Sequence, residues 1–284
     1  MKVVTDEARI HNLEVSSDLI HSKKVDALHA AHIGIDWLEH CSGIIQAMYP
    51  QWAMDSPKEI WDIIQWEQPD EELIESVCRQ LLIKDIKLCP TIVLYDQMQL
   101  ADQYWTTKHE VVHHMENSDY LFKYWQQAAQ AKQGQNTLGI QTKIIQKIAY
   151  TYYKMGGTVV TGTDTPAGIF TYLGFALHRE LQLFVDAGFT PLEALQQATI
   201  NAAKALKAAD LGDIKEGFTA DLLVLNENPL SDIENTMKID RIVKDGNLYT
   251  IPELLENIPT EQEMNDYMNE LIETLEEQGL NAGN

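Results

Sequence analysis

The chain has 284 residues, enough for one large domain or two around a substantial core, and 21 Lys and Arg against 43 Asp and Glu give it a formal net charge of −22. That charge argues against nucleic-acid backbones and anionic membrane surfaces as partners, because both need clustered cations. The three cysteines, Cys41, Cys78 and Cys89, show no short paired spacing, so reduced thiols are expected rather than a disulfide frame. Residues 1–7 lack the apolar stretch of a secretory signal and no run of about 18 apolar residues occurs, which makes the cytoplasm the expected location.

In chain order, Val3, Val4, Ala8 and Leu13 suit a short amphipathic helix, followed by a strand over 14–21, a helix over 24–32 and a strand over 34–40. This alternation predicts a parallel sheet in an α/β fold. Residues 49–82 read as helical with breaks at Pro50 and Pro57, with Trp52, Trp61 and Trp66 as packing anchors. Ser56-Pro57-Lys58-Glu59 reads as a helix start. The apolar run 86–95 is the next expected strand and places Tyr95 near its end, where it either touches substrate or packs a barrel rim.

Lys108-His109-Glu110-Val111-Val112-His113-His114 contains H-E-x-x-H, the helix of zinc proteases in which two histidines bind the metal and the glutamate acts as base. The neighbourhood does not complete it. Glu116 is too close to serve as third ligand, and the next glutamate is Glu180. Coincidence is the reading taken, with a zinc peptidase using His109, Glu110 and His113 as the competing class. Residues 118–134 read as a helical insertion with an apolar face through Tyr120, Phe122, Tyr124 and Trp125, and 138–155 as a further helix.

Gly156-Gly157-Thr158-Val159-Val160-Thr161-Gly162-Thr163-Asp164-Thr165-Pro166-Ala167-Gly168 then reads as a buried strand closed by a tight loop that presents one carboxylate, Asp164. In a parallel α/β barrel, side chains at the C-terminal ends of strands face the reaction site. Alone, the motif is equally an Asx turn or a helix cap. His178 falls between loop and helix, where it reaches substrate or serves capping and packing. Thr190-Pro191-Leu192-Glu193 is a capping box, and Leu192, Leu195, Ala198, Ala202, Ala205 and Leu206 form one apolar helix face.

After Leu211 the pattern turns extended. Strands are expected over 220–225 and 239–243 with Lys244-Asp245-Gly246-Asn247 as a hairpin turn, and Asp221 as a structural turn acid. Thr260-Glu261-Gln262-Glu263 caps an acidic helix whose stripe of Met264, Met268, Leu271 and Leu275 docks on the parent domain or on a second copy, ending near Gly279.

The series Leu177-His178-Arg179-Glu180-Leu181, Asp186-Ala187-Gly188-Phe189-Thr190-Pro191, Ala198-Thr199-Ile200-Asn201-Ala202-Ala203-Lys204 and Ala220-Asp221-Leu222-Leu223-Val224-Leu225 resembles the C-terminal half of the metal-dependent amidohydrolase superfamily, in its imidazolonepropionase and prolidase-like branch. The resemblance runs from about Val3 to Thr250. It implies a partial (β/α)8 TIM-type barrel, about strands five to eight, over 1–212, then part of a small β-sandwich over 213–250 and an acidic helical tail over 251–284. Gly34-Ile35-Asp36-Trp37-Leu38-Glu39-His40 is similar to the sixth strand, which implies His40 as a metal ligand; an imidazole there offers one nitrogen to a cation while a partner holds the other. For the fifth-strand ligand, His21 is preferred, with Asp18 in its place or a decayed site as alternatives. Asp164 is implied as both ligand and proton carrier, with His178 and Tyr95 at the substrate.

The implied cofactor is a divalent metal, zinc above others, as one or two ions that activate water for hydrolysis of a small-molecule amide or cyclic amidine C–N bond, Asp164 moving the proton. The family's His-x-His pair on the first strand is missing here, as is its bridging residue near the fourth. The alignment therefore implies a half barrel with exposed edges, acting with a complementary N-terminal half chain or as a homo-oligomer, or else a non-catalytic remnant or subunit.

Overall fold

The computed structural model describes residues 1–99, 105–106, 120–131, 135–256 and 258–277. Helix α1 (Lys2–Ile10) leads into strand β1 (Ser16–Ser17), α2 (Ala27–Ile33) into β2 (Trp37–Glu39), and α3 (Ile44–Met48), α4 (Lys58–Trp61) and α5 (Glu71–Ile83) into β3 (Lys87–Cys89). The three strands pair in parallel in sequence order. Segment 158–160 adds a fourth parallel rung: Leu88 N–H donates to the Thr158 carbonyl at 3.0 Å and Val160 N–H to the Leu88 carbonyl at 2.9 Å.

Side chains alternate across this sheet with the period of two that pleating imposes. Leu38, Leu88 and Val159 point to one face and join the main core with Ile74, Leu81, Ile144 and Ile148 from the covering helices. Trp37, Cys89 and Val160 point to the other, inner face. Short polar side chains start these helices: Asp26 accepts the His29 N–H at 2.8 Å and Asp70 that of Leu73 at 3.0 Å, satisfying donors that have no intrahelical partner. Gly34, at φ 99°, closes α2 in the left-handed conformation that a side chain resists.

The strand expected over 86–95 is three residues long. Ile92–Gln97 is a helix, α6, and Thr91, at φ 46° and ψ 50°, turns the chain out of the sheet. The β1 strand is likewise two residues rather than eight. Trp52, Trp61 and Trp66 pack against one another with ring centroids 5.1–5.7 Å apart, as anchors should. The expected cap at Ser56 is absent, because its hydroxyl accepts the Ala53 N–H at 2.9 Å and Pro57 takes the cap position.

Next come α7 (Tyr120–Ala131), α8 (Gln135–Gly139), α9 (Thr142–Lys154), α10 (Phe175–Ala187), α11 (Pro191–Ala198) and α12 (Ile200–Ala205). The single helix expected over 138–155 is thus two. The capping box at Thr190 is present, with Glu193 bonded back to the Thr190 N–H at 2.7 Å. The apolar face expected through Leu206 is broken at Thr199, whose backbone leaves the helical region and whose hydroxyl donates back to the Leu195 carbonyl at 2.7 Å. The two resulting helices point differently: Leu192 and Leu206 are exposed, while Ala202 and Ala205 of α12 seal the inner face of the sheet against Trp37 and Val160.

A second sheet follows, antiparallel, of β4 (Leu222–Leu225), β5 (Ile239–Lys244) and β6 (Asn247–Thr250). Asp245 and Gly246 both have positive φ, the pair of left-handed residues that a two-residue hairpin needs. Asp221 accepts from Lys244 Nζ at 2.7 Å and from the Asp245 N–H at 2.9 Å, the turn role expected of it. A 3₁₀ turn, Ile233–Met237, joins β4 to β5 and packs on α10. Helix α13 (Ile251–Leu255) packs on this sheet behind its own capping box. In α14 (Glu261–Glu277), Thr260 and Glu263 bond reciprocally at the start, and Leu271 and Ile272 are exposed; the side chains of Met264, Met268 and Leu275 lie outside the described residues.

Candidate functional site

Left-handed backbone outside glycine costs of order 1 kcal/mol or more, and persists only where neighbours dictate it. Four such residues stand at or beyond the C-terminal ends of three adjacent extended segments: His40 (φ 62°) and Cys41 (φ 47°) after β2, Thr91 (φ 46°) after β3, and Asp164 (φ 54°) after 158–160. Two of these side chains, Thr91 and Asp164, meet that of His40. His40 Nε2 lies 3.7 Å from Asp164 Oδ2, with the imidazole buried and the carboxylate 42% exposed.

His40 Nδ1 lies 2.6 Å from Thr91 Oγ1, and the Thr91 hydroxyl donates to the Pro90 carbonyl at 2.8 Å. With that proton committed, the threonine oxygen is left to accept, so the hydrogen-bond network assigns the imidazole proton to Nδ1 and a lone pair to Nε2. Two electron-pair donors, Nε2 and the Asp164 carboxylate, then face each other across 3.7 Å, an arrangement stabilised by a cation or a proton between them.

Elements behind the site hold this geometry. The His40 N–H donates to the Cys89 carbonyl at 2.7 Å, and its own carbonyl accepts from the Tyr95 hydroxyl at 2.9 Å. Tyr95 is fully buried in α6, where its hydroxyl supports the His40 backbone, and burial first, then the fields of Cys41, Asp18 and Asp164, push its phenol well above the ordinary range. The Ile92 and Val93 N–H groups, next to Thr91, donate to Glu180 at 3.0 and 2.7 Å. Arg179, one residue earlier in α10, forks onto Asp96 at 2.8 and 2.9 Å, so α10 grips α6 at both ends.

Asp18 directly follows β1, as His40 follows β2. Its Oδ1 accepts the Ile20 N–H at 2.7 Å, and its field reaches Tyr95 together with that of Asp164. His21 lies further on, exposed in a turn closed by the Ser22 N–H and the Leu19 carbonyl at 3.0 Å. The strand-end position thus falls to Asp18, because β1 stops at Ser17. His178 has its Nδ1 2.9 Å from Thr236 Oγ1 and its ring against Phe175, tying α10 to the 3₁₀ turn. His109, Glu110 and His113 lie outside the described residues. Among the described residues no group of three or more His, Cys, Asp or Glu side chains gathers to hold a metal ion.

Sequence reading missed Thr91 and Glu180. Thr91 gave no signal, since its role depends on a histidine 51 residues away. Glu180 did give one: it lies one helical turn from buried Ala176 on one side and Phe184 on the other, an acid on an apolar helix face.

Parallel strands covered by helices, with polar side chains gathered at their C-terminal ends, define the class as an α/β fold. Residues 143–249 match the model of the amidohydrolase family. Over 105 residues the chain is 39% identical to ochratoxinase of Aspergillus niger, a stretch that is 35% of this chain and 21% of that protein. Among solved structures, bottromycin amidohydrolase superposes with a TM-score of 0.63 at 19% identity, covering 89% of this chain and 53% of that one. A Xaa-Pro dipeptidase with bound methionine gives 0.55 at 20% identity, covering 88% and 48%. Residues 143–249 thus carry the amidohydrolase-family match, and most of the chain shares its fold with these two structures. The chain spans about half the length of these structural neighbours and matches about a fifth of ochratoxinase.

Proposed function

We propose that the chain forms part of a metal-dependent amidohydrolase that hydrolyses an amide or cyclic amidine C–N bond, with His40 and Asp164 at the reacting end. The convergence of these two side chains, 3.7 Å apart from the ends of the two segments that flank β3, carries the reading. The donor chemistry fits a divalent cation: an unprotonated imidazole nitrogen and a carboxylate, separated by a distance that one ion with ligand bonds of about 2.1 Å can bridge. Two protein donors fall short of the three of a catalytic zinc site. Among the described residues neither Asp18 nor His21 gathers with these two, so the third donor is proposed to lie outside them. When bound, such an ion supplies Lewis acidity and a water acidic enough to ionise near neutral pH.

This chain's own residues then have defined tasks. Asp164, open to solvent, accepts a proton from the attacking water and returns it to the leaving nitrogen. Thr91 keeps the His40 proton on Nδ1, so that Nε2 faces the reaction side as a base or ligand. The further donors come, in this proposal, from a complementary barrel half. Two features support it: among the described residues β1 pairs only with β2, and Val3, Val4 and Ile10 of α1 are exposed. A cytoplasmic location belongs to the same proposal, on the strength of three free cysteines.

Titration of the chain with Co²⁺, followed by its visible absorption, tests the site. His40→Ala and Asp164→Asn should each weaken binding by roughly 10-fold or more. Equal affinity in wild type and both variants would reject His40 and Asp164 as ligands.

A further inference from the structure

Glu180 lies outside every step above, yet it is a carboxyl in the middle of the core. Both oxygens are directed at one place: Oε1 accepts the Ile92 N–H at 3.0 Å and Oε2 the Val93 N–H at 2.7 Å. These amides immediately follow Thr91, whose backbone is left-handed and whose side chain gives no cap to the helix it begins. A relay results, from carboxyl to amide, from the amide segment to the Thr91 hydroxyl, and from the hydroxyl to His40 Nδ1 at 2.6 Å. Burying a carboxyl without an ion partner is costly, and an amide or hydrocarbon would pack the same space more cheaply. Arg179, the adjacent cation, is committed to Asp96.

We infer that Glu180 is a positioning residue: by holding the Ile92 and Val93 amides it fixes Thr91, and through Thr91 it sets which nitrogen of His40 carries the proton. A glutamine at 180 retains one acceptor and turns an N–H₂ toward the other amide, so one of the two bonds must open. Thr91 is then free to leave its left-handed conformation, and its hydroxyl ceases to demand the Nδ1 proton. The tautomer of His40 becomes a mixture. This deepens the reading of His40 as a reacting-end residue, but it concerns the imidazole itself and stands whether or not the chain hydrolyses an amide.

The test is ¹⁵N NMR of the full chain labelled at histidine, with the His40 signals assigned by difference against His40→Gln. Wild type should show a protonated Nδ1 and an unprotonated Nε2. Glu180→Gln should shift the tautomer ratio by roughly tenfold, the equilibrium value of about one hydrogen bond. Thr91→Val should do the same, and Glu180→Gln should add nothing further in that background. Leu183→Ala, a cavity on the same helix, should lower the unfolding midpoint and leave the tautomer alone. A folded Glu180→Gln or Glu180→Asp protein with the wild-type tautomer overturns the proposal, since Asp withdraws the oxygens by a methylene. Should neither variant fold, wild type decides: one opening event must expose the His40 Nδ1 proton and the Ile92 and Val93 amides together, so protection factors, each corrected for its own intrinsic exchange rate, that differ between the imidazole proton and both amides overturn it.

Discussion

Glu14 Oε2 lies 2.6 Å from Lys87 Nζ, on the face of the sheet that Trp37 and α12 also occupy. The same oxygen accepts from Trp37 Nε1 at 2.6 Å, and Oε1 meets Lys207, just beyond α12, at 2.8 Å. One carboxyl thereby ties β1, β2, β3 and the helix sealing the inner face. Burial acts to raise its pKa, but the bonds from Lys207, Lys87 and Trp37 prevail and bring it from 4.5 to about 2.

A lowered folded-state value means stability that is fully present above pH 4.5 and lost as pH falls toward 2. Glu14→Gln should therefore destabilise the chain at neutral pH, on the order of 1–3 kcal/mol after allowance for partial exposure. The gap between variant and wild type should close as the pH approaches the folded-state value. Urea midpoints across an acid series measure it; a gap independent of pH would show that packing, not charge, gives Glu14 its role.

Glu180 has the opposite sign. Desolvation raises its pKa from 4.5 to about 8, against the pull of the Val93 and Ile92 amides. A raised carboxyl is stable as the neutral acid, so its contribution is present below pH 4.5 and fades as pH climbs toward 8, by about 1.4 kcal/mol for each pH unit crossed. Glu180→Gln should flatten the stability of the chain between those two values. Wild type and variant running in parallel across that window would contradict the assignment.

The site residues legible in the sequence were those whose signal is local. Asp164 follows a β-branched run and a Gly-Thr turn, and His40 follows an apolar strand, so each could be placed at a segment end without knowing its neighbours. The run Ile92-Val93-Leu94-Tyr95 could not be read this way, because a short apolar β-branched stretch suits a buried strand and a buried helix alike. What decides it is Glu180, 88 residues away from Ile92, receiving the two amides that a helix start leaves free. The partners of His178 and Tyr95 were hidden for the same reason: Thr236 and the His40 carbonyl are 58 and 55 residues distant. The split at Thr199 was hidden by an alanine-rich pattern that continues helical periodicity across a broken backbone.

Arg179 and Asp96 make a two-bonded pair that is mostly buried, with side chains 20% and 12% exposed. Removing one partner strands the other charge, so Arg179→Ala should cost about 3–5 kcal/mol. Arg179→Ala combined with Asp96→Ala should cost less than the sum of the single losses. Lysine at 179 should recover little, because a point charge cannot reproduce the fork. Additive losses in the thermal or urea midpoints of the four proteins would show that the pair is not coupled.

Gly162 is the last residue whose size the site constrains. Its backbone does not need glycine's conformational freedom, yet a Cβ built there falls 2.3 Å from Cys89 Sγ and 3.3 Å from Thr91 Cγ2. The sulfur cannot easily retreat: Cys89 packs against the inner-face cluster of Trp37, Val160 and Ala205. Gly162→Ala should therefore destabilise by about 1–3 kcal/mol, the usual cost of overpacking. Cys89→Ala removes the obstructing atom, so Gly162→Ala should be close to neutral in that background. Because Thr91 Cγ2 is the second contact, the single variant should also disturb the Thr91–His40 bond, and the double variant should restore it. Equal losses from Gly162→Ala in both backgrounds, read as urea midpoints, would place the strain elsewhere than against the cysteine.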